Sequence, residues 1–344
     1  MERVIMAGIV SMVISILVGP KFIGFLRRNE FGQHIRAEGP EHHVVKQGTP
    51  TMGGLLIVLA MSVAFLALSR YTAEALAVFF ATLACAAIGF IDDFTKLRHR
   101  RSLGLAGRWK LLLLAAIALA VGALLRHEAL AESVYVPGLD IRFDLSWGWY
   151  LLVFLIIAGA SNGVNLTDGI DGLAAGTGMI ALLTFTAINV FTFIRSGQPG
   201  GGGNPDEAAL DVAILGAALI GGTIGFLWYN AFPAEVFMGD TGSMAIGGAL
   251  AAFAVTANAE LLLILIGGIF VIEALSVMLQ VASFKYWGRR IFLMTPIHHH
   301  FEMKAWSETK IMVRFWILGA ILGAGAFALY YQYFFGFRPD LIQP

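Results

Sequence analysis

A single cysteine, Cys85, and only 13% charged residues set the first limits on this chain. One thiol closes no intrachain disulfide, which excludes a disulfide scaffold and leaves Cys85, inside an apolar run, with an expected packing role. With 58% of 344 residues hydrophobic and a positive mean hydropathy, the apolar share exceeds that of a soluble globule. A polytopic membrane protein is implied. A soluble domain and an internal repeat are also lacking, and a formal net charge of zero gives no sign of a nucleic-acid partner. The opening run from Val4 to Pro20 has no small-residue cleavage site before Lys21 and Arg27, so it is expected to remain as a first span.

Apolar runs of membrane length are what the chain has in abundance. A hydrocarbon core of roughly 30 Å needs about 20 apolar residues per helix. Ten runs qualify, near 4–25, 51–69, 74–91, 109–125, 147–163, 172–194, 210–230, 242–258, 261–284 and 313–336. The expected fold is all-α, one bundle of about ten helices over residues 1–344. Of the 23 Lys and Arg, all but Arg3, Arg70, Arg126, Arg142, Arg195 and Arg338 follow the odd-numbered spans. That bias puts those connections, 26–50, 92–108, 162–172, 229–242 and 285–312, in the cytoplasm and both termini in the periplasm. The outer connections carry no chemistry. Residues 134–143 form two alternating pieces around a Pro-Gly turn, read as a small periplasmic hairpin, and 196–206 form a Gly-rich linker.

The unusual polar groups all fall on the cytoplasmic side, so bundled helices would bring them to one cavity. Asp92 and Asp93 end an apolar run and are followed by Lys96, Arg98, Arg100 and Arg101, an arrangement suited to an anionic ligand, a divalent cation, or both. Gly48 to Gly54, with Thr51 inside it and Lys46 just before it, opens a helix where backbone N–H groups can hold an anion or simply make a tight turn. No Walker A lysine follows it. Asn165, Asp168 and Asp171 stand at steps of three beside two glycines, a pattern expected to turn at the start of span six. One such Asp would be an ordinary helix cap, whereas two with an Asn favour binding a sugar, a base or a cation. Asn230 and Phe237 precede Asp240, which lies between glycines where a ligand can approach closely. His298, His299 and His300 diverge on any regular backbone, so a three-histidine zinc site is not expected and phosphate contact or proton transfer suits them better. Glu273 and Gln280 lie within span nine, and Glu273 is expected to face the bundle interior with a partner, in a structural role.

Carboxylates, lysines and histidines gathered at one membrane face have the parts for magnesium-assisted phosphoryl chemistry on a lipid. The rival class is an ion-coupled transporter, whose acids belong at the membrane midplane.

At these same segments the chain resembles the phospho-N-acetylmuramoyl-pentapeptide transferases, the MraY family, in matching order and spacing from the first span to the last. The resemblance implies transfer of phospho-MurNAc-pentapeptide from UDP-MurNAc-pentapeptide to undecaprenyl phosphate, giving lipid I and UMP, with Mg²⁺ and a homodimer in the inner membrane. Related transferases of N-acetylglucosamine phosphate share the Asp-Asp and Asn-Asp elements; the Thr295 to Glu302 segment and the Gly48 to Gly54 run favour the muramoyl substrate. Carried over by position, Asp240 is the expected magnesium ligand, and Asp92, Asp93 and His299 join it as catalytic residues. The substrate-facing set is Lys46, Thr51, Lys96, Lys110, Asn165, Asp168, Asp171, Asn230, Phe237, Gln280, His298 and His300. Of the two adjacent acids, Asp92 is read as the base for the lipid phosphate, with Asp93 supporting Lys96 or the metal.

Overall fold

The computed structural model describes residues 1–29, 48–99, 104–127, 133–136, 141–198 and 203–332. Twelve helices and one hairpin lie within them: α1 Glu2–Arg28, α2 Gly54–Leu68, α3 Ala73–Arg98, α4 Gly107–His127, β1 Ser133–Val136, β2 Ile141–Asp144, α5 Gly148–Thr167, α6 Leu173–Ser196, α7 Glu207–Asn230, α8 Gly239–Thr256, α9 Leu263–Ile266, α10 Gly268–Trp287, α11 Ile297–Glu302 and α12 Glu308–Tyr330. Every predicted apolar run coincides with a helix, the ninth with the pair α9 and α10, interrupted at Gly267. Eight helices are long and apolar enough to cross a membrane; α2 is shorter, and α8 begins with a polar turn. The hairpin is present, with Ser133 opposite Asp144 and Val136 opposite Ile141.

Helix starts follow local chemistry. Thr72, Asp206 and Ser307 each accept a hydrogen bond from the backbone N–H three residues on, satisfying a donor that has no partner within α3, α7 or α12. Helix ends are less local. The apolar run of α3 stops near residue 91, yet the helix continues to Arg98, so Asp92 and Asp93 are helical and not part of a loop. An ion pair from Lys96 to Asp92, one turn apart, supports the extension.

In a membrane, helices gain little from hydrophobic exclusion, so close packing must come from small residues. Two helices form the centre. In α7, 83% of the most apolar window is buried against 28% in α1, and every α8 residue from Thr241 to Val255 is buried. Helix α7 packs on α1, α2 and α6, and α8 packs on α3, α5 and α2. Glycines provide the close packing where α7 meets α1: a Cβ on Gly221 would lie 2.0 Å from the Gly8 carbonyl oxygen, and one on Gly225 would lie 2.5 Å from the Ser15 Cβ.

Candidate active site

Asp240 reaches the two adjacent acids because α8 begins directly on α3. A Cβ on Gly89, one turn before Asp93, would lie 2.1 Å from the Asp240 carbonyl oxygen, so only glycine lets the helices approach this far. Gly239 has φ +74°, a left-handed backbone that favours glycine, and a Cβ there would meet the Asp93 carboxylate at 2.7 Å. The result is a cluster in which one carboxylate oxygen each from Asp92, Asp93 and Asp240 lies within 4.8 Å of the others.

The neighbouring acids do different work, as side chains about 100° apart around a helix must. Asp93, buried, accepts from the Asp240 N–H (3.1 Å), the Thr241 N–H (2.9 Å) and the Thr241 hydroxyl (2.7 Å). It therefore satisfies the orphan donors at the start of α8, where a negative charge also suits the helix dipole. Asp92 instead faces two ammonium groups, Lys96 Nζ at 2.7 Å and Lys110 Nζ at 2.9 Å, and accepts the Leu105 N–H at 2.7 Å. Both lysines continue to Asp240, each at 3.0 Å. Lys96 thus pairs directly with Asp92, one helical turn away, while its charge also acts on Asp93. The side chain of Asp92 is 1% exposed and that of Asp240 is 14% exposed, so Asp240 is the more open of the two carboxylates that the lysines bridge.

Asn165 donates to Ser243 Oγ at 3.0 Å and also bonds Asp240. Helix α5 ends at Thr167, and the chain turns through Asp168 to Gly172, whose φ is +73°, as the paired glycines predict. Asp168 receives the Gly239 N–H. Its burial within the cleft, followed by the charges of Asp240 and Asp93, pushes its carboxyl up to about 8. These residues therefore share one site with the three acids.

Others of the predicted set hold that site's walls. Asp171 accepts the Ala234 N–H at 3.0 Å, while Asn230 accepts the Gly172 N–H and donates to the Val236 carbonyl. Together they lock the segment after α7 to the turn before α6. Phe237, half-buried, exchanges backbone hydrogen bonds with Pro50 and Gly53, and the built Cβ of Gly239 lies 3.0 Å from Thr51 Oγ1, so the Gly48 to Gly54 segment forms the wall beside Asp93. Gln280 takes the Ile291 and Phe292 N–H groups on its oxygen and donates to the Phe292 carbonyl, which folds the segment after α10. Lys46 lies outside the described residues.

Consecutive histidines are expected to diverge, but the ring centroids of His298 and His299 lie 4.1 Å apart; all three residues occupy the short helix α11. Its apolar side rests on a small cluster of Ile170, Leu173, Ile269, Ile311 and Phe315. His298 is buried and bonds Glu273, the interior partner anticipated for that acid; His299 bonds Glu302; His300 accepts the Leu293 N–H. Burial and then the Lys304 charge hold His300 below the ordinary imidazole range. Sequence reasoning did not single out Thr241, Ser243 or Leu105, all of which contact the acids. Thr241 and Ser243 adjoin Asp240 at a helix start, and that position was the available signal.

Three oxygen donors at mutual distances below 4.8 Å fit a hard divalent cation, and two adjacent lysines would balance phosphate oxygens brought alongside. The comparisons with known proteins agree with this chemistry. Residues 75–258 match the model of glycosyl transferase family 4, and residues 46–58 match phospho-N-acetylmuramoyl-pentapeptide-transferase signature 1. The chain is 44% identical to the phospho-N-acetylmuramoyl-pentapeptide-transferase of Rubrobacter xylanophilus, covering 97% of this chain and 99% of that one. It is 44% identical to that of Bacillus subtilis, with 94% and 96% covered, and 46% identical to that of Halalkalibacterium halodurans, with 93% and 96% covered.

Proposed function

Because the chain belongs to glycosyl transferase family 4 and, within it, to the phospho-N-acetylmuramoyl-pentapeptide transferases, we propose that the cluster of three acids and two lysines is where it makes lipid I for peptidoglycan. The donor is UDP-MurNAc-pentapeptide and the acceptor is undecaprenyl phosphate. An oxygen of the lipid phosphate attacks the sugar-bound phosphorus of the donor, a new P–O–P bridge forms, and the bond to UMP breaks, with UMP keeping the electron pair. Catalysis of this kind is mostly positioning and charge stabilisation. The observation that carries the reading is the double bridge of Lys96 and Lys110 between Asp92 and Asp240.

In this reading Asp240, with Asp92 and Asp93 beside it, would hold Mg²⁺, which would neutralise charge on the transferring phosphates. Lys96 and Lys110 turn from the carboxylates to phosphate oxygens as the substrates enter. Asp92, freed from them, takes the proton of a singly ionised lipid phosphate, and Asp93 keeps α8 in place. Asn165 and Asp168 orient the nucleotide-sugar from the side opposite α3. The ten-span count, periplasmic termini, inner-membrane location with a cytoplasmic active site, and homodimer belong to the same proposal. The uneven distribution of Lys and Arg supports the sidedness.

The test is incubation of the purified protein with undecaprenyl phosphate, Mg²⁺ and either radiolabelled UDP-MurNAc-pentapeptide or UDP-GlcNAc. Lipid-linked product and UMP from the first donor alone are expected. Product from UDP-GlcNAc alone would reassign the donor, and no product from either would return the transporter reading.

A further inference from the structure

Glu273 is a carboxylate in the second turn of the membrane helix α10, 0% exposed, and the transfer reaction as described does not use it. Its partner is His298, also 0% exposed, with Nδ1 3.0 Å from Glu273 Oε1; the His298 backbone N–H points at the other oxygen, 3.5 Å away. This hydrogen bond ties the ring at Nδ1 and sets its orientation. The far nitrogen, Nε2, is buried without a hydrogen-bond partner among the described residues. What it meets is backbone. A Cβ on Gly169 would lie 2.4 Å from Nε2 and 3.0 Å from Cε1, so the edge of the ring presses on the Cα of Gly169.

Gly169 is the residue between Asp168, which faces the acid cluster, and the turn to Asp171, which anchors the segment after α7. A mobile side chain would locate nothing by this contact. A buried ring tied at Nδ1 does, because it has no room to swing away. We propose that Glu273 and His298 form a buried strut from α10 to Gly169 that sets the position of the Asp168 to Asp171 turn, making both of them positioning residues for the transfer reaction. The inference rests on the functional reading above. It differs from direct phosphate contact by His298, since Nε2 is covered by Gly169.

The test measures kcat, the KM for UDP-MurNAc-pentapeptide and thermal stability for Glu273→Gln, Glu273→Leu, Gly169→Ala and the double variant Glu273→Leu/Gly169→Ala. Glu273→Gln keeps a hydrogen-bond partner for Nδ1 and should retain kcat within about threefold. Glu273→Leu frees the ring, and Gly169→Ala pushes against it. Each should lower kcat by about 10²-fold, the scale of a 1 Å misplacement, with KM changed by less than about threefold. Since both break one contact, the double variant should be no slower than the worse single. Multiplying losses in the double variant, a raised KM at constant kcat, or a normal rate in Gly169→Ala would each overturn the strut. Should Glu273→Leu fail to accumulate, Gly169→Ala and Glu273→Gln still decide. Wild-type protein inactive with this donor would overturn the functional reading instead, so the two failures are distinguishable.

Discussion

Asp240→Asn is the perturbation that bears most directly on the proposed chemistry. The wild-type cluster sets three carboxylates against two ammonium groups, leaving one net negative charge to receive a divalent cation if all are ionised. The amide removes that charge while keeping the size of the side chain and an oxygen that accepts from Lys96 or Lys110. The backbone N–H of residue 240 still reaches Asp93, so the start of α8 stays in place. At a separation of about 4 Å and an effective dielectric near 20, one unit charge interacts with another by roughly 4 kcal/mol. Solvent access to a group 14% exposed reduces this, and removal of a single electrostatic stabiliser typically costs about 10²- to 10³-fold in turnover. The assay is UMP release in detergent across a magnesium titration, with melting temperature as the control for folding. Expected are a fall in kcat of at least about 10²-fold, a magnesium dependence moved to higher concentration, and a melting temperature within a few degrees of wild type. Near-normal turnover with an unchanged magnesium curve would refute the metal role of Asp240.

Asp92→Asn should recover part of its lost activity as pH rises and the lipid phosphate ionises unaided, whereas Asp93→Asn should loosen the start of α8 and shift the magnesium dependence; the pH-rescued profile in Asp93→Asn would reverse the assignment. Asp168 has its carboxyl raised to about 8 in the ion-free fold, so the protonated form stabilises the folded state at low pH and that contribution is lost as pH rises from about 4 to about 8. In chelator, the melting temperature of wild type should therefore fall more steeply over that interval than that of Asp168→Asn, and parallel curves would refute the shift. A cysteine at exposed Lys304, with buried Cys85 silent, should be protected from an impermeant thiol reagent applied outside intact cells; its labelling would overturn the cytoplasmic placement.

Which acids gather in one cluster was legible because acids are costly at either end of an apolar run, and Asp92, Asp93, Asp168 and Asp240 all stand there. Partner choice was not. Whether Lys96 serves Asp92 or Asp93 depends on the rotation of α3, and hydropathy is blind to that rotation when apolar residues surround the helix. The extent of α3 was also hidden, since its helix outlasts its apolar run by about two turns and so carries the acids, with Lys96, on one rigid element. The same blindness applies to Glu273, whose interior position was legible but whose partner lies 25 residues away across a folded connection. The information that sets these rotations resides in glycines such as Gly89 and Gly169, where a missing Cβ admits the backbone of α8 or the ring of His298. In the sequence each reads as an ordinary turn or packing residue, because what it admits comes from far along the chain. It follows that replacing a contact glycine should impair the site as severely as replacing an acid, although neither glycine bears a group that touches substrate.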